Sequence, residues 1–451
     1  MFAADVFWLQ WIGGFAAMTT LFLSGLWAGW TSPYLAQFAS GNSPFPVTTN
    51  DISWIASIST LGEISGAILG AICIEYFGNR RTIIGNGFTI LLSWILVIAA
   101  NSASWIYVAK FISGATGEIS YMSTSLYLGD ISSPNIRGAM VTMASTGVVL
   151  GIVAANAMGP YISMRVFACI ALVPNIYFIA IFLWLPESPY YLVSRGRLDD
   201  AKNSILRYNP KADVHLEVES IKNFVTIEKS VSFVDRVREF NFSRNRNNGL
   251  ILMALIMFSK CSGLVPLSAY MEIIMTRGSV TAISPSTVPV IVNSVGLIAG
   301  WTAMYFVEKS GRRTMWAVSS AGICVSMTSL GTHFYFLSIG HDPATLQWLP
   351  ILSVVLFKIW FNLGVSYIPN IMVSEVFASN IRTLAACLSS VSSGVFSFIG
   401  IYGYQWLLEL IHESYVYWIH AVFMVISSIF GWFLVSETKG KTLMEIQNDV
   451  I

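Results

Sequence analysis

Residues 75–81 read Glu75-Tyr76-Phe77-Gly78-Asn79-Arg80-Arg81, and residues 308–313 read Glu308-Lys309-Ser310-Gly311-Arg312-Arg313. Each stretch follows directly on an apolar run, one the second such run in the chain and the other the eighth. The recurrence does not stop there. After the fourth run, Asp130 is followed seven residues later by Arg137, and after the tenth, Glu375 is followed seven residues later by Arg382. After the sixth stands Pro186-Glu187-Ser188-Pro189, and after the twelfth Ser436-Glu437-Thr438-Lys439. A signature that returns six spans later on the same membrane face implies parallel duplication of a six-helix unit. Halves of that kind are related by an axis along the membrane normal, with substrate near the midplane between them.

The apolar runs themselves fit this reading. Crossing a bilayer takes about 20 apolar residues in a helix. Such runs lie at 8–29, 54–74, 83–100, 105–128, 139–159 and 166–185, and again at 248–270, 288–306, 316–336, 348–369, 384–407 and 415–434. The expected fold class is therefore an all-α membrane protein of about twelve transmembrane helices in two six-helix bundles. The expected domains are 1–185, a polar loop 186–247, 248–435 and a tail 436–451. Within the loop, 198–208 and 214–225 mix apolar and charged residues at helical spacing, which predicts short amphipathic surface helices.

Composition agrees. Hydrophobic residues make up 55% of the 451 and charged residues 11%, against about 25% charged in soluble domains. Most of the 25 Lys and Arg collect on one face: Arg80, Arg81, Arg137, the run from Arg195 to Arg246, Lys309, Arg312, Arg313, Arg382, Lys439 and Lys441. The opposite loops hold Arg165 and Arg277. By the positive-inside bias, the first face is cytoplasmic, together with both termini. No basic region precedes the first run, which predicts a retained helix rather than a cleaved leader. Cys73, Cys169, Cys261, Cys324 and Cys387 all sit in apolar runs with no CxxC spacing, so neither a disulfide framework nor a metal site is expected. No Gly-rich nucleotide loop occurs, which argues against an ATP-driven pump, and a net charge of +1 gives no reason to expect a nucleic-acid partner.

Gly78 with Arg80 and Arg81, Tyr127-Leu128-Gly129-Asp130 through Arg137-Gly138, Pro186-Glu187-Ser188-Pro189, Glu308 through Arg313, and Glu437-Thr438-Lys439-Gly440 together resemble the sugar-porter family of the major facilitator superfamily. Gly29-Trp30-Thr31-Ser32-Pro33 is similar to its insect trehalose-transporter-like branch. The resemblance implies a facilitative sugar transporter for a hexose or a trehalose-like disaccharide. Such a protein is multi-pass in the plasma membrane, works by alternating access, takes no cofactor and is not an enzyme. Its partners are the sugar and the lipid bilayer. The repeated acids and arginines are then a cytoplasmic latch: Glu75, Arg80, Arg81, Asp130, Arg137, Glu187, Glu308, Arg312, Arg313, Glu375, Arg382 and Glu437. Exposed pairs are each worth about 0–1 kcal/mol, so several weak ones make a latch that can be reset. For any isolated arginine, plain topological anchoring is the alternative.

The sugar site departs from the family. Where members carry a Gln-Gln-x-Ser-Gly-x-Asn stretch, this chain reads Ser259-Lys260-Cys261-Ser262-Gly263-Leu264-Val265. The helix 5 glutamine matches Ser145, the helix 10 tryptophan Asn370 and the acid before it Asn362, while Asn293 is kept. Gly364 and Pro369 remain to break helix 10. Ser145, Asn156, Ser259, Lys260, Ser262, Asn293, Asn362 and Asn370 are therefore the candidate substrate ligands. Trp301 and Trp360 could replace the lost aromatic platform, or simply pack and face lipid. Lys260, Glu63, Glu118 and Lys358 are charges inside apolar runs, at a cost of about 2.5–3.5 kcal/mol each on insertion scales, so each should face a cavity or pair. Lys260 either pairs with Glu118 or Glu63 or faces substrate. Helix 1 lacks the acid that proton-coupled relatives commonly carry, which points to facilitated diffusion. Two alternatives remain open: a ligand sensor or transport-inactive relative, and a transporter of a non-sugar, anionic solute.

Overall fold

The computed structural model describes residues 8–229, 233–377, 381–435 and 437. The predicted tail therefore lies outside the described residues except for Glu437, as do Thr438, Lys439 and Gly440 of the last motif. Among the described residues every regular element is helical.

The first half forms α1 (Trp8–Ala39), α2 (Thr49–Phe77), α3 (Asn79–Ala99), α4 (Ala103–Ile131), α5 (Pro134–Met158) and α6 (Met164–Trp184). The loop region folds into α7 (Pro189–Ser194), α8 (Leu198–Tyr208), α9 (Val214–Lys229) and α10 (Phe233–Phe240). The second half forms α11 (Ser243–Lys260), α12 (Leu264–Arg277), α13 (Val288–Ser310), α14 (Arg312–Ser338), α15 (Trp348–Trp360), α16 (Ile368–Val376), α17 (Arg382–Leu410) and α18 (Glu413–Leu434). Two of its six spans are broken. The seventh is α11 plus α12, divided at Gly263, whose φ of +97° suits only glycine. The tenth is α15 plus α16, joined by a π turn over Phe361–Val365, with Pro369 in the first turn of α16. Irregular backbone at membrane depth is tolerated where it is buried in protein or lines a cavity.

Nine helical stretches among the described residues are long and apolar enough to span a membrane. α13 enters only as the shorter apolar stretch Val288–Ala303, and α4 and α14 are not among the nine because of the polar residues they bury. α4 buries Lys110, Ser113, Thr116, Ser120, Ser123 and Thr124, and α14 buries Ser319, Ser320, Ser326 and His333. Several of their hydroxyls bond to the helix itself, as in Ser113 to the Lys110 carbonyl (2.7 Å) and Ser123 to the Ile119 carbonyl (2.6 Å). Small residues let backbones approach closely, the usual device where lipid gives helices no hydrophobic reason to associate. A Cβ at Gly66 of α2 would lie 2.7 Å from the Ala115 Cα of α4.

Internal packing divides the chain into two units. The first is Met1–Ala28, Leu61–Ala155 and Ile162–Ser232, and the second is Gly29–Thr60, Asn156–Tyr161 and Phe233–Ile451. α1 and α2 thus contribute to both. In the first unit, α7 to α9 enclose a small apolar core of Leu192, Val193, Ala201, Ile205, Val218 and Ile221. α8 begins with Asp199 and Asp200 and ends with Arg207, charges that complement the helix dipole. This subdomain is tied down by polar contacts. Tyr208 and Tyr127 share a hydroxyl hydrogen bond of 2.6 Å, Ser204 donates to the Glu187 carbonyl at 2.6 Å, and Gln10 donates to the Tyr208 carbonyl at 3.0 Å. In the second unit, the Ser32 hydroxyl of α1 accepts the Glu272 N–H at 3.3 Å, and Trp54 of α2 packs on Phe398 and Tyr402 of α17.

Candidate functional site

The second unit contains a cavity of about 230 Å³ at the two helix breaks. Its polar lining is Ser259 and Lys260 from the end of α11, Ser366 and Asn370 beside the π turn, and Ser389 and Ser393 on α17. Ile256, Leu264, Phe361 and Pro369 complete it. Phe361 is the aromatic residue of the lining and stacks on Phe357 at a centroid distance of 6.0 Å. The candidates Ser259, Lys260 and Asn370 therefore meet in one place. Ser366, Ser389 and Ser393 join them, although the sequence reading passed over all three. Ser389 and Ser393 lie four residues apart and so share one face of α17, but nothing in the sequence says which face meets a cavity. Lys260 is the one charged side chain in the lining, and within its unit it forms no ion pair among the described residues.

The other candidates are occupied or elsewhere. Ser262 donates to the Ser259 carbonyl (2.7 Å), Asn293 to the Pro289 carbonyl (2.8 Å) and Asn362 to the Gly296 carbonyl (2.7 Å). Ser262 and Asn362 thus brace the two broken spans, while Asn293 bonds within α13. Ser145 belongs to the first unit and bonds to the Val141 carbonyl of its own helix at 3.0 Å, while Asn156 is buried at the end of α5. Of the expected aromatics, Trp301 is exposed on the outer surface and Trp360 packs over Gly322. Lys358 lies along Gly296 and Asn362, outside the cavity lining.

The repeated motifs form two copies of one structure, each within its own unit. Gly78 and Gly311 are the N-caps of α3 and α14, with φ/ψ of 85°/166° and 88°/160°, a region reserved for glycine. An acid from the loop after the last span of each half caps the helix. Glu187 accepts the Arg80 N–H at 3.0 Å, and Glu437 accepts the Arg312 and Arg313 N–H groups at 3.0 and 3.2 Å. The acid ending the fourth span of each half holds the residue after the glycine. Glu375 forms a 2.7 Å ion pair with Arg312, and Asp130 accepts from Asn79 at 3.0 Å and from the Ser188 hydroxyl. Aligning the glycines matches Asn79 with Arg312, so this contact is ionic in one half and a neutral-donor hydrogen bond in the other. Arg80 instead donates to the Phe182 and Leu183 carbonyls that end α6 (2.8 and 2.6 Å).

The remaining latch candidates are more peripheral. Arg137 is exposed but acts electrostatically on Asp130, and Arg81 on Glu187. Glu75 is exposed, with its carbonyl accepting from Arg195 at 2.8 Å. Glu308 is exposed, and Arg382 begins α17 without an ion pair among the described residues. Burial is the largest influence on Glu187 and pushes its carboxyl above 4.5, while the backbone donors of Arg80 and Ser188 and the charges of Arg80 and Arg81 pull the other way.

One buried charge escaped the sequence reading. Lys110 of α4 is 2% exposed and lies 5.8 Å over the Trp27 ring, with Glu63 of α2 as its electrostatic partner. Trp27 stacks on Trp94 at 3.9 Å and donates to Ser93 at 3.2 Å. Glu63 thus has a cation in its own unit. The lone Lys110 in the run 105–128 was the signal that could have revealed it.

Two broken spans around a polar cavity, and a duplicated glycine–acid cap at one end of the helices, define a membrane transporter of the secondary type. The sugar (and other) transporter profile matches residues 8–450, and the chain belongs to that family. It is 29% identical over 432 residues to the facilitated trehalose transporter of Polypedilum vanderplanki, covering 95% of this chain and 85% of that one. With the facilitated trehalose transporter of Apis mellifera ligustica the figures are 27% over 443 residues, covering 97% and 88%. The chain spans about half, 55%, of the Aedes aegypti protein of the same name, to which it is 28% identical over 452 residues. In fold it matches the inward-open xylose transporter XylE of E. coli with a TM-score of 0.78 at 19% identity, over 96% of this chain and 99% of that one.

Proposed function

We propose that this chain is a facilitative sugar transporter of the plasma membrane, carrying a hexose or a trehalose-like disaccharide by alternating access. The basic-motif end of the helices, both termini and the loop region are cytoplasmic in this reading. Residues 1–185 and 248–435 are the two bundles, 186–247 the loop and 436–451 the tail. The observation that carries it is the 230 Å³ cavity at the breaks in the seventh and tenth spans. A sugar presents many hydroxyls, each both donor and acceptor, and is held by side chains with matching capacity. Ser259, Ser366, Ser389 and Ser393 offer that capacity, with Asn370 and Phe361 in the same lining. The helix breaks allow the cavity walls to swing without melting a whole span. The duplicated caps serve as the latch, made in one state and released in the other. The relatives' description as facilitated trehalose transporters supports both the solute class and the absence of coupling.

Uptake of radiolabelled glucose and trehalose into proteoliposomes, with binding measured in parallel, tests this. Saturable uptake unaffected by a proton gradient is expected. Binding without uptake would establish the sensor instead. That second reading draws on Asn293 and Asn362, whose side chains are committed to backbone carbonyls rather than to the cavity.

A further inference from the structure

The cavity carries a positive charge. Lys260 stands among four serine hydroxyls and the Asn370 amide, and among the described residues the lining contains no Asp or Glu. Its own helix supplies one simple explanation, since a cation in the last turn of α11 complements the dipole there. Two further features exceed that explanation. α12 starts at Leu264 and α16 at Ile368, and Leu264, Pro369 and Asn370 from their first turns line the same cavity. Two helix N-termini therefore deliver partial positive charge to the space that Lys260 faces, as broken helices do when they hold anionic substrate groups. An ammonium donates only, whereas the serine hydroxyls donate and accept. The lining is thus suited to one anionic group beside several hydroxyls.

We propose that this pocket selects sugar acids, hydroxylated solutes of sugar size bearing one carboxylate, over uncharged sugars. The proposal rests on the transporter reading above and names its substrate class. One ammonium matches one carboxylate charge, and a phosphate dianion would bring a charge too many. Carriage of such a solute without a coupling ion moves one negative charge per cycle.

The test uses full-length protein in proteoliposomes with radiolabelled D-glucuronate and D-glucose, in the wild type, Lys260→Gln and Lys260→Arg. Wild-type uptake of glucuronate is expected to exceed that of glucose about tenfold and to accelerate under an inside-positive potential. Lys260→Gln should lower the ratio of glucuronate to glucose uptake about tenfold and abolish the voltage response. Lys260→Arg should retain the preference for the acid. Glucose uptake in the wild type without glucuronate uptake overturns the proposal and leaves the transporter reading standing. Entry of neither solute overturns the proposal, and only a parallel failure of trehalose uptake defeats the transporter reading itself. A large drop in the melting temperature of Lys260→Gln, restored by neutralising a buried acid, would mark Lys260 as a structural ion-pair member and likewise overturn the proposal.

Discussion

Replacing Gly311 with alanine probes the duplicated cap most directly. Gly311 sits at φ +88°, ψ 160°, a backbone region that costs an L-residue about 1–3 kcal/mol. The added Cβ would lie 2.9 Å from Glu437 Oε1, with the rest of that carboxylate closer still. The carboxylate must then swing away, releasing the Arg312 and Arg313 N–H groups it holds at 3.0 and 3.2 Å. Losing an N-cap costs about 0.5–2 kcal/mol, and removing the charge from the helix N-terminus about 0.3–1 kcal/mol more. The sum is about 2–6 kcal/mol, well above the ordinary cost of a surface substitution. Thermal unfolding of purified protein in detergent measures it. The control Glu437→Gln keeps the glycine and removes only the charge, so it should lose about 0.3–1 kcal/mol. If Gly311→Ala melts with the wild type, or if Glu437→Gln costs as much as Gly311→Ala, the glycine is not needed for the cap geometry and the reasoning fails.

Three further outcomes are expected. Glu187 has its carboxyl raised by burial, so the folded state holds that proton to higher pH than the unfolded chain. The associated stability is full below 4.5, the unfolded value, and is lost as pH rises through the folded value; Glu187→Gln should flatten this decline in melts at a series of pH values. Glu375→Gln breaks an ion pair whose partners are 15% and 22% exposed, between the exposed and fully buried cases, so about 1–3 kcal/mol of latch energy should go, with increased labelling of cysteines placed at the basic end. No change in labelling or turnover there would reduce the pair to an anchor. Cysteines at Ser43 and His341 should be labelled from outside intact cells and one at Asn203 only after permeabilisation; outside labelling of Asn203 would reverse the assigned orientation.

The spans were legible because membrane insertion imposes a one-dimensional rule, roughly 20 apolar residues per crossing. The break in the tenth span was legible too, since Gly364 admits a close approach of Ser319 and Pro369 lacks a donor, whereas the break at Gly263 was not read from the sequence. α8 and α9 announced themselves by periodicity. The cavity was only half legible. Ser366, Ser389 and Ser393 look like any hydroxyl in an apolar helix until folding decides which face they take. Asn293, Asn362 and Ser262 look like ligands until their backbone acceptors are seen. A hydroxyl that bonds within its own helix and one that faces a cavity have the same one-letter code.

The Glu63–Lys110 pair was missed for a different reason. A lysine in a run otherwise fit to span a membrane is conspicuous on its own, but α2 supplies its partner 47 positions earlier, a distance no local pattern bridges.

The two copies of the cap also show what the duplication has kept and what it has released. Both retain a glycine in the same region of φ/ψ and a carboxylate on the first N–H groups of the following helix. Those features answer a fixed demand, because the first N–H groups of any helix lack intrahelical acceptors and a buried helix end must find them elsewhere. The side chain after the glycine answers no such demand, and there the copies differ: Arg312 pairs with Glu375 while Asn79 meets Asp130. An arginine–carboxylate pair is sensitive to salt and to the charge of its neighbours, whereas an amide donor brings no charge of its own. The capping contact is therefore duplicated intact, while at the position after the glycine the second copy has an arginine–carboxylate pair and the first an amide donor.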